Sequence, residues 1–230
     1  MTMIQTELEA LIFDVDGTLA DTERDGHREA FNRAFKEAGL DWHWDEALYG
    51  ELLAVTGGKE RMRHYMDSYR PRDPAAGSAE REALYTRIPD LHKAKTAHYT
   101  AMLAEGVIGL RPGVRRLLDE ARACGLRIAI ATTTTPANVT ALLENSLAPG
   151  SCDWFEVIAA GDIVPAKKPA PDIYHYAMEH MGIGADRCLA FEDSENGIRS
   201  SQGAGLTTLV TINGYTHDHD FTGAALVVDN

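Results

Sequence analysis

At 230 residues the chain is long for one compact domain and short for two of ordinary size, so a single domain carrying a substantial insertion is expected. With 44% apolar residues it can build a full core, since a chain of this length buries roughly 70% of its unfolded surface. The balance of 22 Lys plus Arg against 35 Asp plus Glu gives a formal charge of −13, which argues against nucleic acid and against an anionic membrane as partners.

The opening "MTMIQTELE" has neither the basic nor the apolar region of a signal peptide, and no apolar run approaches the length of a bilayer span. A soluble cytoplasmic protein, monomeric, is expected. Cys124, Cys152 and Cys188 are odd in number and widely spaced, without a C-x-x-C pair, and read as packing thiols.

Residues 10–15, "ALIFDV", form a short, nearly continuous apolar run of the kind buried on both faces of a parallel sheet. The period then changes. Ala30, Phe31, Ala34, Phe35 and Ala38 recur at helical spacing, with Gly39 where a C-terminal cap belongs. Further helices are expected near 45–53 and 58–69, a turn-rich loop at 70–78, and a helical pattern over 79–104 with a break at Pro89. Nothing between 20 and 104 reads as a strand.

From 113 the pattern alternates. A helix ends at Gly125, the strand "LRIAIATT" follows, then a helix at 136–145, the strand "FEVIAA", a loop through 170, a helix at 172–181, the strand "CLAFED", a helix at 195–202, and the strands "LTTLV" and "AALVVDN". "QGAG" at 202–205 reads as a helix end turning into a strand, and "WHW" at 42–44 and "HDH" at 217–219 as packing and loop residues. Alternating strands and helices imply a doubly wound, Rossmann-like parallel sheet. The expected domains are a core of residues 1–20 and 105–230 and a small all-helical insertion of residues 21–104.

In such a sheet, ligands bind beyond the carboxyl ends of the strands. Three expected strands end there in chemistry: Asp14 and Asp16 after the first, Thr132 after "IAIA", and Glu192 and Asp193 after "CLAF". The loop "AKKPAPD" adds Lys167 and Lys168. Gathered carboxylates repel one another, and a hard cation such as Mg²⁺ is the usual reason to collect them. A Lys beside a Thr hydroxyl suits phosphoryl oxygens, and an Asp can attack phosphorus. Gly17 permits the bend that brings Asp16 to the same side. A calcium loop is disfavoured because a strand, not a helix, precedes the acids. Taken singly, Thr132 to Thr135 also fit a helix N-cap, and Lys168 a loop charge.

In order, "DVDGT", a Thr after the second motif strand, "KKPAPDIY" and "FEDSENG", with a helical insertion after the first, resemble the haloacid dehalogenase superfamily of phosphatases over essentially the whole chain. The resemblance implies that Asp14 is the nucleophile, Asp16 the general acid and base, and Thr132 and Lys168 the holders of the phosphoryl group. It further implies that Asp14, the backbone carbonyl of Asp16 and Asp193 bind Mg²⁺, with Glu192 beside them either as a further metal ligand or as a support behind the ligands. Asp16 argues against the dehalogenase branch.

"DTERDGHREAFNRAF", "TGGKER" and "AGDIVPAKKPAPDIY" resemble the CbbY type more closely, which implies a cap domain and hydrolysis of a sugar bisphosphate, xylulose 1,5-bisphosphate above all. A second phosphate needs a second anion site, for which "GGKERMRH" offers Lys59, Arg61, Arg63 and His64. Glu23, His27, Lys59, Arg61 and Thr134 are the expected substrate contacts; a solvated helix face for the cations, and ordinary exposed positions for Glu23 and His27, are the plainer alternatives. A β-phosphoglucomutase-like phosphomutase shares all four motifs. A phosphorylatable receiver or inactive binding module uses Asp, Thr and Lys on a similar sheet, and Asp16 and the helical insertion speak against it.

Overall fold

The computed structural model describes residues 7–229; the first six residues of the expected core segment, and Asn230 at its end, lie outside the described residues. The strands are β1 (Ala10–Phe13), β2 (Arg127–Thr132), β3 (Val157–Ala160), β4 (Cys188–Glu192), β5 (Thr207–Thr211) and β6 (Leu226–Val228). All pair in parallel, in the order β3-β2-β1-β4-β5-β6. This is the doubly wound order, with its reversal point between β1 and β4.

Small and branched apolar residues let β1 be buried on both faces. Leu11 and Phe13 pack with Ile128, Ile130, Leu142 and Leu118 on one side; Ala10 and Ile12 pack with Ala129, Ala131, Ile173 and Tyr174 on the other. Helices α5 (Val114–Ala123) and α6 (Pro136–Leu142) cover the first face, and α7 (Asp172–Met181) covers the second. Helix α8 (Glu195–Gly203) starts just beyond β4, with Ser194 accepting at its N-terminus from Gly197 N at 3.2 Å.

Between β1 and α5 lies a helical block: α1 (Arg28–Glu37), α2 (Glu46–Leu52), α3 (Gly58–His64) and α4 (Ala79–Ala104). Its core is aromatic, made by Phe31, Phe35, Trp42, Trp44, Tyr49 and Tyr65, so "WHW" is packing, as expected. Helix α4 runs unbroken through Pro89, correcting the expected break. Ile88 and Leu91, on either side of that proline, are both buried in the aromatic core, and this packing keeps the two halves in line despite the lost N–H.

The block is continuous with the sheet domain at its base. Ala30 of α1 and Tyr99, Met102 and Leu103 of α4 belong to the main core cluster rather than to the aromatic one. At the edge facing the sheet, Asn196 donates to Ala54 O (3.1 Å) and Thr56 Oγ1 (3.2 Å). The three cysteines are unpaired thiols, and no helix among the described residues is long and apolar enough to cross a membrane.

Candidate active site

Register places Phe13 opposite both Ile130 and Phe191, so Asp14, Thr132 and Glu192 leave the sheet together at its reversal point. Alternation along β1 turns Asp14 to the α7 face. There Lys168 Nζ donates to Asp14 Oδ1 and to Glu192 Oε1, both at 2.7 Å, and the Tyr174 hydroxyl also donates to Glu192 Oε1. Burial alone would lower the Lys168 ammonium, but the Asp14 and Glu192 carboxylates outweigh it and hold it above its ordinary value.

Carboxylate oxygens of Asp14, Glu192 and Asp193 lie within 4.8 Å of one another, all buried. Burial, with the Glu192 and Asp16 charges and against Lys168, pushes Asp14 up to about 7. Burial and its neighbours Asp14 and Glu192 raise Asp193 well above the usual carboxylate range. Glu192 Oε2 is buried without a hydrogen-bond partner among the described residues. Two buried carboxyls that resist ionisation, beside a third side chain with an idle oxygen, fit a hard divalent cation; an all-carboxylate donor set suits Mg²⁺, Ca²⁺ or Mn²⁺.

Gly17 serves this cluster more directly than a bend requires. It sits at φ +84°, and a Cβ there would overlap Asp193 Oδ2. Only glycine combines that backbone with so close an approach. Asn213 Nδ2 holds the same Asp193 oxygen at 2.7 Å.

Asp16 faces the helical block. It accepts from Thr22 Oγ1 at 2.6 Å and lies 2.7 Å from His27 Nε2, while His27 Nδ1 is 2.7 Å from Lys95 Nζ. An ammonium can only donate, so Nδ1 accepts and Nε2–H donates to Asp16. Burial would raise Asp16, but His27, Thr22 and Lys95 overcome it and hold the carboxylate well below its usual range. Burial, against Asp16 and Glu23, lowers Lys95 to about 8.

A cavity of about 240 Å³ opens in front of these groups, lined by Asp14, Asp16, Thr132, Lys168, Glu192 and Asp193 from the sheet edge and by Glu23 and Arg61 from the helical block. Residues 8–205 match the family model of haloacid dehalogenase-like hydrolases. The chain belongs to that family.

It is a hydrolase of the phosphatase type. The protein CbbY of Rhodobacter capsulatus is 51% identical over 218 residues, 95% of this chain and 91% of that one. A CbbY-like protein of Arabidopsis thaliana is 42% identical over 96% of this chain and 68% of its own. Crystal structures of CbbY from Rhodobacter sphaeroides, one in complex with phosphate and one of a mutant in complex with xylulose-(1,5)bisphosphate, share its fold at TM-score 0.86 and 43% identity, covering 97% of this chain and 94% of theirs.

The expected substrate contacts of this hydrolase are dispersed. Arg61 is buried, not on a solvated face: Nε donates to Leu52 O at 3.1 Å and Nη1 to the Tyr49 hydroxyl at 3.0 Å, and the residue lines the cavity. Glu23 accepts from the Tyr49 hydroxyl beside it. His27 is 3% exposed, which removes the reading of an ordinary exposed position; its ring lies on Tyr99, centroids 4.1 Å apart, and it holds Asp16. Thr134 accepts from Asn138 Nδ2 at 2.9 Å and lines a neighbouring cavity of about 50 Å³.

Lys59 is the expectation that geometry moves furthest. Its Nζ pairs with Asp162 and it is absent from the cavity wall, while Lys167 bridges Glu60 and Asp162 at 3.0 Å. Successive residues of a helix diverge by about 100°, so "KER" cannot aim all its charges into one pocket. Arg63 lies over Tyr85 and His64 meets Ser68, both away from the site.

Three contributors escaped the sequence reading. Lys95 had a signal: it falls four residues after Leu91 and four before Tyr99, on the buried stripe of α4. Asn213 and His219 had none, because they act from an irregular segment beyond β5. His219, expected as a plain loop residue, lines the cavity and accepts from Glu195 N at 3.2 Å.

Proposed function

We propose that the chain is a Mg²⁺-dependent sugar bisphosphate phosphatase, with xylulose 1,5-bisphosphate as preferred substrate, acting through an aspartyl phosphate on Asp14. The observation that carries this reading is the placement of a buried carboxylate trio, two of them bridged by Lys168, across one cavity from Arg61 of the helical block. The likeness to CbbY proteins, one of them seen with that bisphosphate, supports the substrate class.

In this reading residues 21–104 form a cap over a core of residues 1–20 and 105–230. Mg²⁺ held by Asp14, the Asp16 carbonyl and Asp193, with Glu192 beside them, would neutralise charge on the phosphoryl oxygens. Asp14 Oδ attacks phosphorus and the bond to the sugar oxygen breaks, Lys168 and Thr132 holding the phosphoryl oxygens. Asp16 gives its proton to the departing sugar oxygen; an arriving phosphate dianion favours the protonated form by repulsion. Ionised by that transfer, and held so by His27 and Thr22, Asp16 then takes a proton from the water that attacks phosphorus and breaks the bond to Asp14. Arg61 and Glu23 meet the far end of the sugar bisphosphate.

Inorganic phosphate release from xylulose 1,5-bisphosphate, abolished by EDTA and restored by Mg²⁺, is the expected result. An isomeric sugar phosphate from glucose 1-phosphate, without net phosphate release, would establish a phosphomutase instead.

A further inference from the structure

The segment after β5 is the part of the cavity wall that no motif accounts for. Asn213 uses both ends of its side chain: Nδ2 donates to Asp193 Oδ2 at 2.7 Å, and Oδ1 accepts from Tyr215 N at 2.9 Å. Thr216 closes the turn, its Oγ1 accepting from Asn213 N at 3.0 Å and its N–H donating to Asn213 O at 3.1 Å. The backbone of Tyr215 is thus fixed to the acid cluster through one amide side chain.

The ring of Tyr215 belongs to the other half of the molecule. It packs against the aromatic core of the helical block, and among the described residues assigned to that core it alone comes from outside residues 31–91. It stands edge-on to Tyr49, centroids 6.1 Å apart at 70°, and Tyr49 in turn bonds Glu23 and Arg61. Gly50 makes the space: a Cβ there would lie 3.2 Å from Tyr215 Cδ1. The Tyr215 hydroxyl is buried with no hydrogen-bond partner among the described residues, so the contact is made by the ring.

We propose that Tyr215 is a positioning residue that sets substrate preference, its ring registering where the cap sits and Asn213 tying that position to Asp193. The proposal rests on the phosphatase reading above. A bisphosphate must be held by the cap and the acid cluster at once, so its turnover depends on this contact. A small aryl phosphate, hydrolysed at the acid cluster alone, does not.

The test compares kcat/KM for xylulose 1,5-bisphosphate and for p-nitrophenyl phosphate in Tyr215→Ala, Tyr215→Phe and Gly50→Ala, with thermal melts alongside. Because misplacing a bound group by about 1 Å can cost up to ~100-fold, Tyr215→Ala is expected to lose at least about tenfold on the bisphosphate and less than about threefold on the aryl ester. Tyr215→Phe should match the wild type on both, since the ring is retained. Gly50→Ala, which crowds the ring without touching the acid cluster, should lose selectively on the bisphosphate, by less than Tyr215→Ala. Equal losses on the two esters, no loss in Tyr215→Ala, or a Phe variant as poor as the Ala variant would each overturn the proposal. A wild-type chain that hydrolyses the aryl ester but not the bisphosphate would overturn the substrate reading, and this proposal with it.

Discussion

In the helical block, Phe35 stands edge-on to Trp42 and Trp44 at 5.2 and 4.9 Å, and Tyr65 does the same to both tryptophans at 5.4 and 5.5 Å. At the sheet edge, burial of the same depth surrounds Asp14, Lys168, Glu192 and Asp193. Burial of apolar rings is graded, so each ring adds its share to stability, and the edge-on geometry adds a smaller term of its own. A buried charge cluster has no such grading. Whether losing one member helps or harms depends on its sign.

The sharpest test of that contrast is Asp14→Asn. Phosphate release should fall by on the order of 10⁴-fold or more, as when a nucleophile is removed. Removing one of three repelling carboxylates should leave the metal-free melting temperature at or above that of the wild type. A substantial drop in melting temperature would show that the cluster is not under the electrostatic strain described here.

Lys168→Met takes away the opposite charge and should behave oppositely. Leaving Asp14 and Glu192 buried without their cation is expected to cost about 3–5 kcal/mol in urea unfolding. Combining it with Asp14→Asn should recover part of that loss, a coupling that a purely steric cavity would not show.

Lys95 carries the contrast into the helical block. Its folded value is lowered to about 8 from 10.5, so between those two values the unfolded chain binds more protons and stability rises with pH. The destabilisation is fully present below about pH 8 and disappears above 10.5, a difference of roughly 3 kcal/mol. In denaturation curves from pH 7 to 10.5, Lys95→Met should show a flatter rise than the wild type. Parallel curves would mean that Lys95 titrates normally.

How legible each region was follows from the same physics. Asp14, Thr132 and Glu192 could be assembled from sequence because parallel register forces strand ends together. Asp193 follows Glu192 directly, and Lys168 came with its motif. In the helical block helical spacing marked Phe31 and Phe35, but not the tryptophans and tyrosines they meet, because a stripe does not say what it packs against. Lys95 was hidden as one charge in an apolar stripe, and Asn213, Tyr215 and His219 sit where no periodicity applies. Pro89 misled because local propensity lost to burial on both sides of it.

The smallest expected effect decides what Lys59 does. Its partner Asp162 is more than half exposed, so water and salt screen the pair, and Asp162→Asn should cost less than about 1 kcal/mol of stability. If Lys59 fastens the cap to the core, Lys59→Met and Asp162→Asn should change KM for the bisphosphate alike, the double variant should add little to either, and high salt should shrink the difference from wild type. If instead Lys59 turned from Asp162 to hold the distal phosphate, Lys59→Met alone would raise KM, and Asp162→Asn, by freeing the ammonium, would lower it. The present geometry, with Lys59 on Asp162 and Lys167 spanning Asp162 and Glu60, predicts the first pattern.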